Sequence, residues 1–534
     1  MGQQIGGCLA NCSNVASLRT HLSSEVGYLT PNPARPLAQA VKSPLERGFR
    51  GVSAFKGMAN ELDYWLALSR FDALPLPVDY PDMASSRGTV AEGATLSCSL
   101  SQEETRALLQ EVPAVYHTQI NDLLLTALVL TFAQWTGHES LLVDLEGHGR
   151  EELFADDEID LSRTVGWFTS IFPVRLDLRD IKAQELGPAI QSIKEQLRQI
   201  PRRGIGYGIL RYLSQDARLE KMPQAEVSFN YLGQATPPPT EALILGIAKE
   251  SSGPPHSPQA TRSHLLEING IVAEGQLRLE WTYSQSIHQR ATIQRLATGF
   301  IDALSALIAH CQSPEAGGYT PSDFPLAQLE QATVDRLTAK READKLIEDI
   351  YPLSPMQQGM LYHTLYAPHS GVYITQFTAT FHLSDPKAWQ QAWQQVVNQY
   401  DVLRTEFDWS DKQPLQLVRQ SATLPWQEYD WQALTAHEQE AQLEALLKAE
   451  REQGFELDNA PLMRCILIKR ASQQYQFIWT HHHLLMDGWC TPIIFKASVT
   501  FYQALTDGRA LTPSQNNKTS ASYRIISLGC KSKI

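Results

Sequence analysis

His482-His483-Leu484-Leu485-Met486-Asp487-Gly488 follows the strand-like run Tyr475-Gln476-Phe477-Ile478-Trp479-Thr480. Strand alternation sends His481 and His483 to one face and His482 to the other, so three adjacent histidines cannot converge on one metal. The Asp487-Gly488 pair marks a turn, and Asp487 can pair with a cation to hold it. A histidine at such a strand-to-loop edge is placed to act as a general base near neutral pH.

The rest of the chain fits a soluble globular protein. Its 534 residues suggest three or four compact units, and 43% hydrophobic against 19% charged residues supplies ample core. A net charge of −13 with no block of lysine and arginine argues against a nucleic-acid partner and gives no sign of membrane-surface binding. Apolar runs such as Leu123 to Ala133 are too short to cross a bilayer, and no secretory pattern opens the chain. The seven cysteines are scattered, and Cys8 with Cys12 lacks a second pair to complete a zinc site. A reduced cytoplasm is the expected compartment.

Periodicity divides the chain into five stretches. Residues 1–56 carry no sustained pattern and are expected to be disordered or atypical. Residues 57–311 alternate helices and strands: Ser101-Gln102-Glu103-Glu104 is a capping box, and Asn121 to Trp135 is a helix apolar nearly all round. In this stretch Pro201 to Gly208 reads as a glycine-rich loop without dinucleotide spacing, and Glu226 to Leu232 as a strand. Residues 312–345 read as a linker, with a charged helix from Leu326 to Leu346. Residues 346–506 form a second unit, and the tail from 507 to 534 loses periodicity. The fold class is α/β, mixed sheets backed by helices.

Several motifs in order resemble the condensation superfamily of nonribosomal peptide synthetases. Glu146-Gly147-His148-Gly149-Arg150-Glu151, Arg163 to Thr169, Gly206-Tyr207-Gly208 and Phe229-Asn230-Tyr231-Leu232-Gly233-Gln234 are similar to four successive epimerization-domain motifs. Tyr351 to Met360, Asp401 to Phe407 and His482 to Gly488 are similar to the opening, second and active-site motifs of a condensation domain. The resemblance implies two half-domains of a chloramphenicol acetyltransferase-like fold joined by the linker: the C-terminal lobe of an epimerization domain, then the N-terminal lobe of a condensation domain. In this family the site lies in a tunnel between two lobes. Upstream of Glu146 stand only His21, His117 and His138, all isolated, so both domains look truncated.

By the same resemblance, Glu146 would be one acid–base group for α-proton exchange, and Asn230 and Tyr231 would sit near the tunnel and help position the substrate or stabilise an enolate. On a regular strand only one of those two can face the tunnel unless it bulges. His483 would orient or deprotonate the attacking amine, or stabilise the tetrahedral intermediate. His482 would pack structurally, Asp487 would hold its loop through an arginine such as Arg404, and Gly488 would permit the close turn. The opening motif is similar to those of condensation domains that accept a D-configured donor. No cofactor or metal is expected on the chain itself; the resemblance implies phosphopantetheine arms presented by partner carrier domains, with other synthetase subunits as further partners. The chain is expected to be catalytically incomplete alone. Two other readings stand beside this one: a hybrid in which His483 serves Glu146, and a non-catalytic scaffold binding carrier proteins or complementary lobes in trans.

Overall fold

The computed structural model describes residues 60–68, 74–83, 86–150, 161, 163–182, 184–213, 216–235, 253, 256–339, 346–368 and 370–509. The N-terminal segment expected to be atypical lies outside the described residues, as does Glu151 and nearly all of the tail. The chain divides into two units after Gly318, fewer than length alone suggests.

In the first unit α1 (Leu62–Leu68) buries Trp65, and β1 (Gly93–Ser99) leads into the predicted cap. There the Ser101 hydroxyl accepts from the Glu104 amide at 3.2 Å, and the Glu104 carboxylate accepts from the Ser101 amide at 3.3 Å, starting α2 (Gln102–Gln110). The short α3 (Val112–Tyr116) precedes α4 (Ile120–Thr136), which buries every residue from Asp122 to Phe132. Its one buried carboxylate, Asp122, accepts from Nη1 and Nη2 of Arg198, at 3.0 and 2.7 Å. β2 (Ser140–Gly147) and β3 (Ser170–Asp177) follow, then α5 (Leu186–Arg198), α6 (Ile205–Leu213) and α7 (Ala217–Glu220). The unit closes with β4 (Val227–Gln234), β5 (Leu266–Ala273), β6 (Gln276–Ser284) and α8 (Arg290–Cys311).

The six strands run β1-β6-β5-β4-β2-β3, with β5/β4 and β4/β2 parallel. The glycine-rich stretch differs from its reading as a loop: from Ile205 onward it is the helix α6. Gly204, at φ +85°, makes the entry, where a Cβ would fall 2.2 Å from the Phe172 ring. Tyr207 and Leu210 then bury the inner helix face, which offsets the low helix propensity of Gly206 and Gly208.

The second unit takes in part of the expected linker. Of the charged helix expected over Leu326 to Leu346, the described residues form only α9 (Gln331–Thr338), and residues 340–345 lie outside the described ones. Phe324, Ala327 and Val334 pack with Ile347, Ile350, Leu415 and Leu417 in a small core of their own. Burial of those apolar side chains decides the segment's conformation, not its charged face. β7 (Ile347–Pro352), α10 (Pro355–Tyr366), β8 (Ile374–His382) and α11 (Pro386–Gln399) follow. Next come β9 (Thr405–Asp408), β10 (Leu415–Arg419), β11 (Trp426–Asp430) and α12 (Ala436–Gln453). β12 (Met463–Ala471), β13 (Gln474–His482) and α13 (Cys490–Thr506) complete the unit.

Two sheets result, β7-β10-β9 and β11-β12-β13-β8. α11 and α13 cover the second sheet through Trp389, Trp393 and Phe495, which pack edge-on or tilted against Phe477 and Trp479 of β13. The α/β class with mixed sheets and backing helices is the one the sequence predicts. No helix among the described residues is long and apolar enough to cross a membrane.

Candidate functional site

In the second unit the histidine run begins inside β13. His481 and His482 are buried, and burial together with the neighbouring imidazoles pushes each down to about 4. Both rings are therefore neutral at pH 7. His482 Nδ1 accepts the Leu484 amide at 3.1 Å, so its proton resides on Nε2, which donates to Thr364 Oγ1 at 3.2 Å. The Thr364 hydroxyl in turn donates to the Met360 carbonyl at 2.8 Å. The ring thus ties β13 to α10.

His483 is the first residue past the strand and only half-buried. Its amide donates to the Tyr373 carbonyl at 2.8 Å. Its Nδ1 lies 2.8 Å from the Met486 carbonyl, an acceptor only, so Nδ1 carries the proton. In the neutral ring the lone pair is then on Nε2, with no hydrogen bond to it among the described residues. Such an imidazole is oriented as a base.

Two expectations about the loop need correction. Arg404 does not hold Asp487: it is buried against the strands, pairing with Glu348 at 2.7 Å and Asp401 at 2.9 Å and donating to the Arg419 carbonyl. Asp487 is instead satisfied locally, accepting the Trp489 amide at 3.0 Å and the Cys490 thiol at 3.4 Å at the entry to α13. Gly488 is not sterically required, since a Cβ there would meet nothing within 4 Å.

In the first unit the parallel β2/β4 register sets Leu145 opposite Phe229, one residue short of Glu146 and Asn230. The Asn230 amide donates to the Glu146 carboxylate at 2.8 Å. Tyr231 points the other way, packed against the core, and burial pushes its phenol up to about 12. The β4/β5 register shifts only between Tyr231 and Gln234, so ordinary alternation holds for the two residues in question. Gly149, at φ +64°, lets the 147–150 loop lie on Phe168: a Cβ there would fall 1.6 Å from the Phe168 carbonyl. Arg150 covers the Phe168 ring at 4.2 Å. Two of the epimerization-like motifs therefore touch.

Sequence reasoning missed Thr364 and Tyr373, whose role comes from long-range contact alone. It also missed the His264–Asp144 pair, at 2.8 Å on the Glu146 strand. Among the described residues no group of three or more His, Cys, Asp or Glu side chains could hold a metal.

The family model described as "Condensation domain" matches residues 51–330 and again 347–524. The chain belongs to the condensation domain family of the nonribosomal peptide synthetases. This condensation-family chain is 43% identical over 477 residues to a component of the linear gramicidin synthase of Brevibacillus parabrevis, covering 88% of itself and 9% of that protein. It is 32% identical over 501 residues to bacitracin synthase 3 of Bacillus licheniformis, covering 93% of itself and 8% of that protein. It spans less than a tenth of the length of these curated relatives. A solved epimerization domain from the third module of tyrocidine synthetase B matches at 36% identity and a TM-score of 0.42, over 48% of this chain and 56% of that one.

Proposed function

We propose that the chain carries two half-domains of a peptide synthetase at an epimerization–condensation junction. The first unit is the C-terminal lobe of an epimerization domain and the second the N-terminal lobe of a condensation domain. Both handle aminoacyl or peptidyl thioesters delivered on the phosphopantetheine arms of carrier domains. The observation that carries the reading is the His483 ring, held by Met486 with its Nε2 lone pair directed away from that bond.

In condensation, the amine on the acceptor arm attacks the donor thioester carbonyl. His483 Nε2 takes the amine proton as the C–N bond forms, and the donor thiolate leaves as the tetrahedral intermediate collapses. In epimerization, the Glu146 carboxylate, positioned by Asn230, exchanges the α-proton on one face, and a second acid–base group is needed on the other. Each half thus holds one part of its machinery. Losing an acid–base partner costs roughly 10² to 10⁴ in rate.

The purified chain, mixed with carrier-bound donor and acceptor thioesters, is expected to form neither D-aminoacyl thioester nor peptide at an appreciable rate. Full-rate turnover of either reaction would overturn the reading. A second, non-catalytic reading is that the chain binds complementary lobes or carrier proteins in trans. It is favoured by exposed Met356, Tyr362, Tyr366 and Trp489, which are 76, 64, 79 and 87% accessible. Monodisperse behaviour without any partner counts against it.

A further inference from the structure

Beneath the histidine loop two buried glutamine amides face one another. Gln357, three residues into α10 from its cap Ser354, is 4% exposed, and Gln416 of β10 is fully buried. Gln357 Nε2 donates to Gln416 Oε1 at 3.0 Å and to the Leu484 carbonyl at 3.0 Å. Gln357 Oε1 accepts from Gln416 Nε2 at 3.1 Å and from the Ser354 amide at 3.0 Å. Gln416 Nε2 also reaches the Pro352 carbonyl at 3.2 Å. Two carbonyls need donors and one amide needs an acceptor, so only one orientation of each side chain satisfies the set. Both hydrogens and both lone pairs of the Gln357 amide are engaged.

We infer that Gln357, locked by Gln416, is a positioning residue for His483. The bond to the Leu484 carbonyl fixes the peptide that begins the 484–486 turn, and the same turn presents the Met486 carbonyl that holds His483 Nδ1–H. The Leu485 amide closes the turn onto the His482 carbonyl at 3.2 Å. Gln357 therefore acts on the imidazole through three residues of backbone, without touching it. A buried polar network of this kind selects one geometry because every alternative leaves a group unpaired. The catalytic part of this inference rests on His483 being the base; the positioning part does not.

The test uses the full chain labelled with ¹⁵N-histidine, the His483 ring signals being assigned with His483→Gln. Two-bond ¹H–¹⁵N correlation spectra at pH 7.5 read which ring nitrogen bears the proton. The wild-type chain is expected to show the Nδ1–H form. Gln357→Met should reduce the preference for that form by at least about fivefold, the worth of one typical hydrogen bond. Gln357→Met strands the Gln416 amide and can fail to fold, so the double variant Gln357→Met/Gln416→Met decides. Replacing both amides leaves neither side chain with an unpaired polar group, while the Leu484 and Pro352 carbonyls lose their donors and the Ser354 amide its acceptor. If positioning is right, the double variant folds while the His483 signature stays altered. A wild-type signature in the folded double variant overturns the proposal and makes the pair mere packing. Peptide formation by the His483→Gln chain, supplied with a complementing lobe, is read separately: a retained rate removes His483 as base and leaves the Gln357 result standing.

Discussion

Replacing His482 by asparagine should make the second unit less sensitive to acid. Wild-type His482 titrates at about 4 when folded, against about 6.5 for an unperturbed histidine. The unfolded chain therefore binds the proton first, and stability falls as pH drops from above 6.5 towards 4. Above 6.5 both states are neutral and the contribution is complete. Between pH 7.5 and 4.5 the loss from this one ring is about 2.5 kcal/mol. In His482→Asn the amide oxygen can still accept the Leu484 N–H, but the bond to Thr364 is lost, costing about 1 kcal/mol at neutral pH. The two stability curves should cross: wild type is the more stable at pH 7.5 and the variant the more stable, by about 1.5 kcal/mol, at pH 4.5. Hydrogen exchange of the slowest β12 and β13 amides, corrected for intrinsic rates, measures the free energy at each pH. Parallel pH slopes in the two proteins would refute the argument, because His481 titrates in both.

Gly149→Ala should destabilise the first unit by more than about 3 kcal/mol, since the residue has φ +64° and its Cβ would overlap the Phe168 carbonyl; urea unfolding checks this. Phe324→Ala should cost the second unit about 3 to 5 kcal/mol although it stands in a stretch that reads as a linker, measured by the same titration. Arg404→Met should lower stability by about 1 to 2 kcal/mol, both carboxylate partners being near half exposed, while leaving exchange of the 484–490 loop amides unchanged. Glu146→Gln, assayed with a histidine-bearing lobe supplied, should reduce epimerization by roughly 10² to 10⁴ while substrate binding changes little.

What the sequence made legible follows from range. The Ser101 cap, the buried helix at Ile120–Thr136 and the strand carrying the histidines are set by neighbours within a few residues, so their patterns survive in one dimension. The stretch from Pro201 to Gly208 reads as a loop because three glycines signal one locally, whereas Phe172 and Glu61, distant in sequence, fill the space beside Gly204 and Gly206. Arg404 was paired with the wrong carboxylate for the same reason. Glu348 reaches it across a sheet, and Asp487 finds partners two and three residues away. Motifs identified His483 and Glu146 as candidates; the ring tautomer and the Asn230 contact needed coordinates.

β13 is hydrogen-bonded along both edges, to β12 on one side and β8 on the other. The imidazole of His483 hangs one residue beyond the most confined strand of its sheet. Its positional spread should then be that of a protein interior, about half an ångström along each axis, although it sits on a loop. That is close to the tolerance a reacting group needs, roughly 0.5 Å. A change in the side chains around it would then leave the imidazole where it is, because the strand that carries it is fixed by main-chain bonds on both edges.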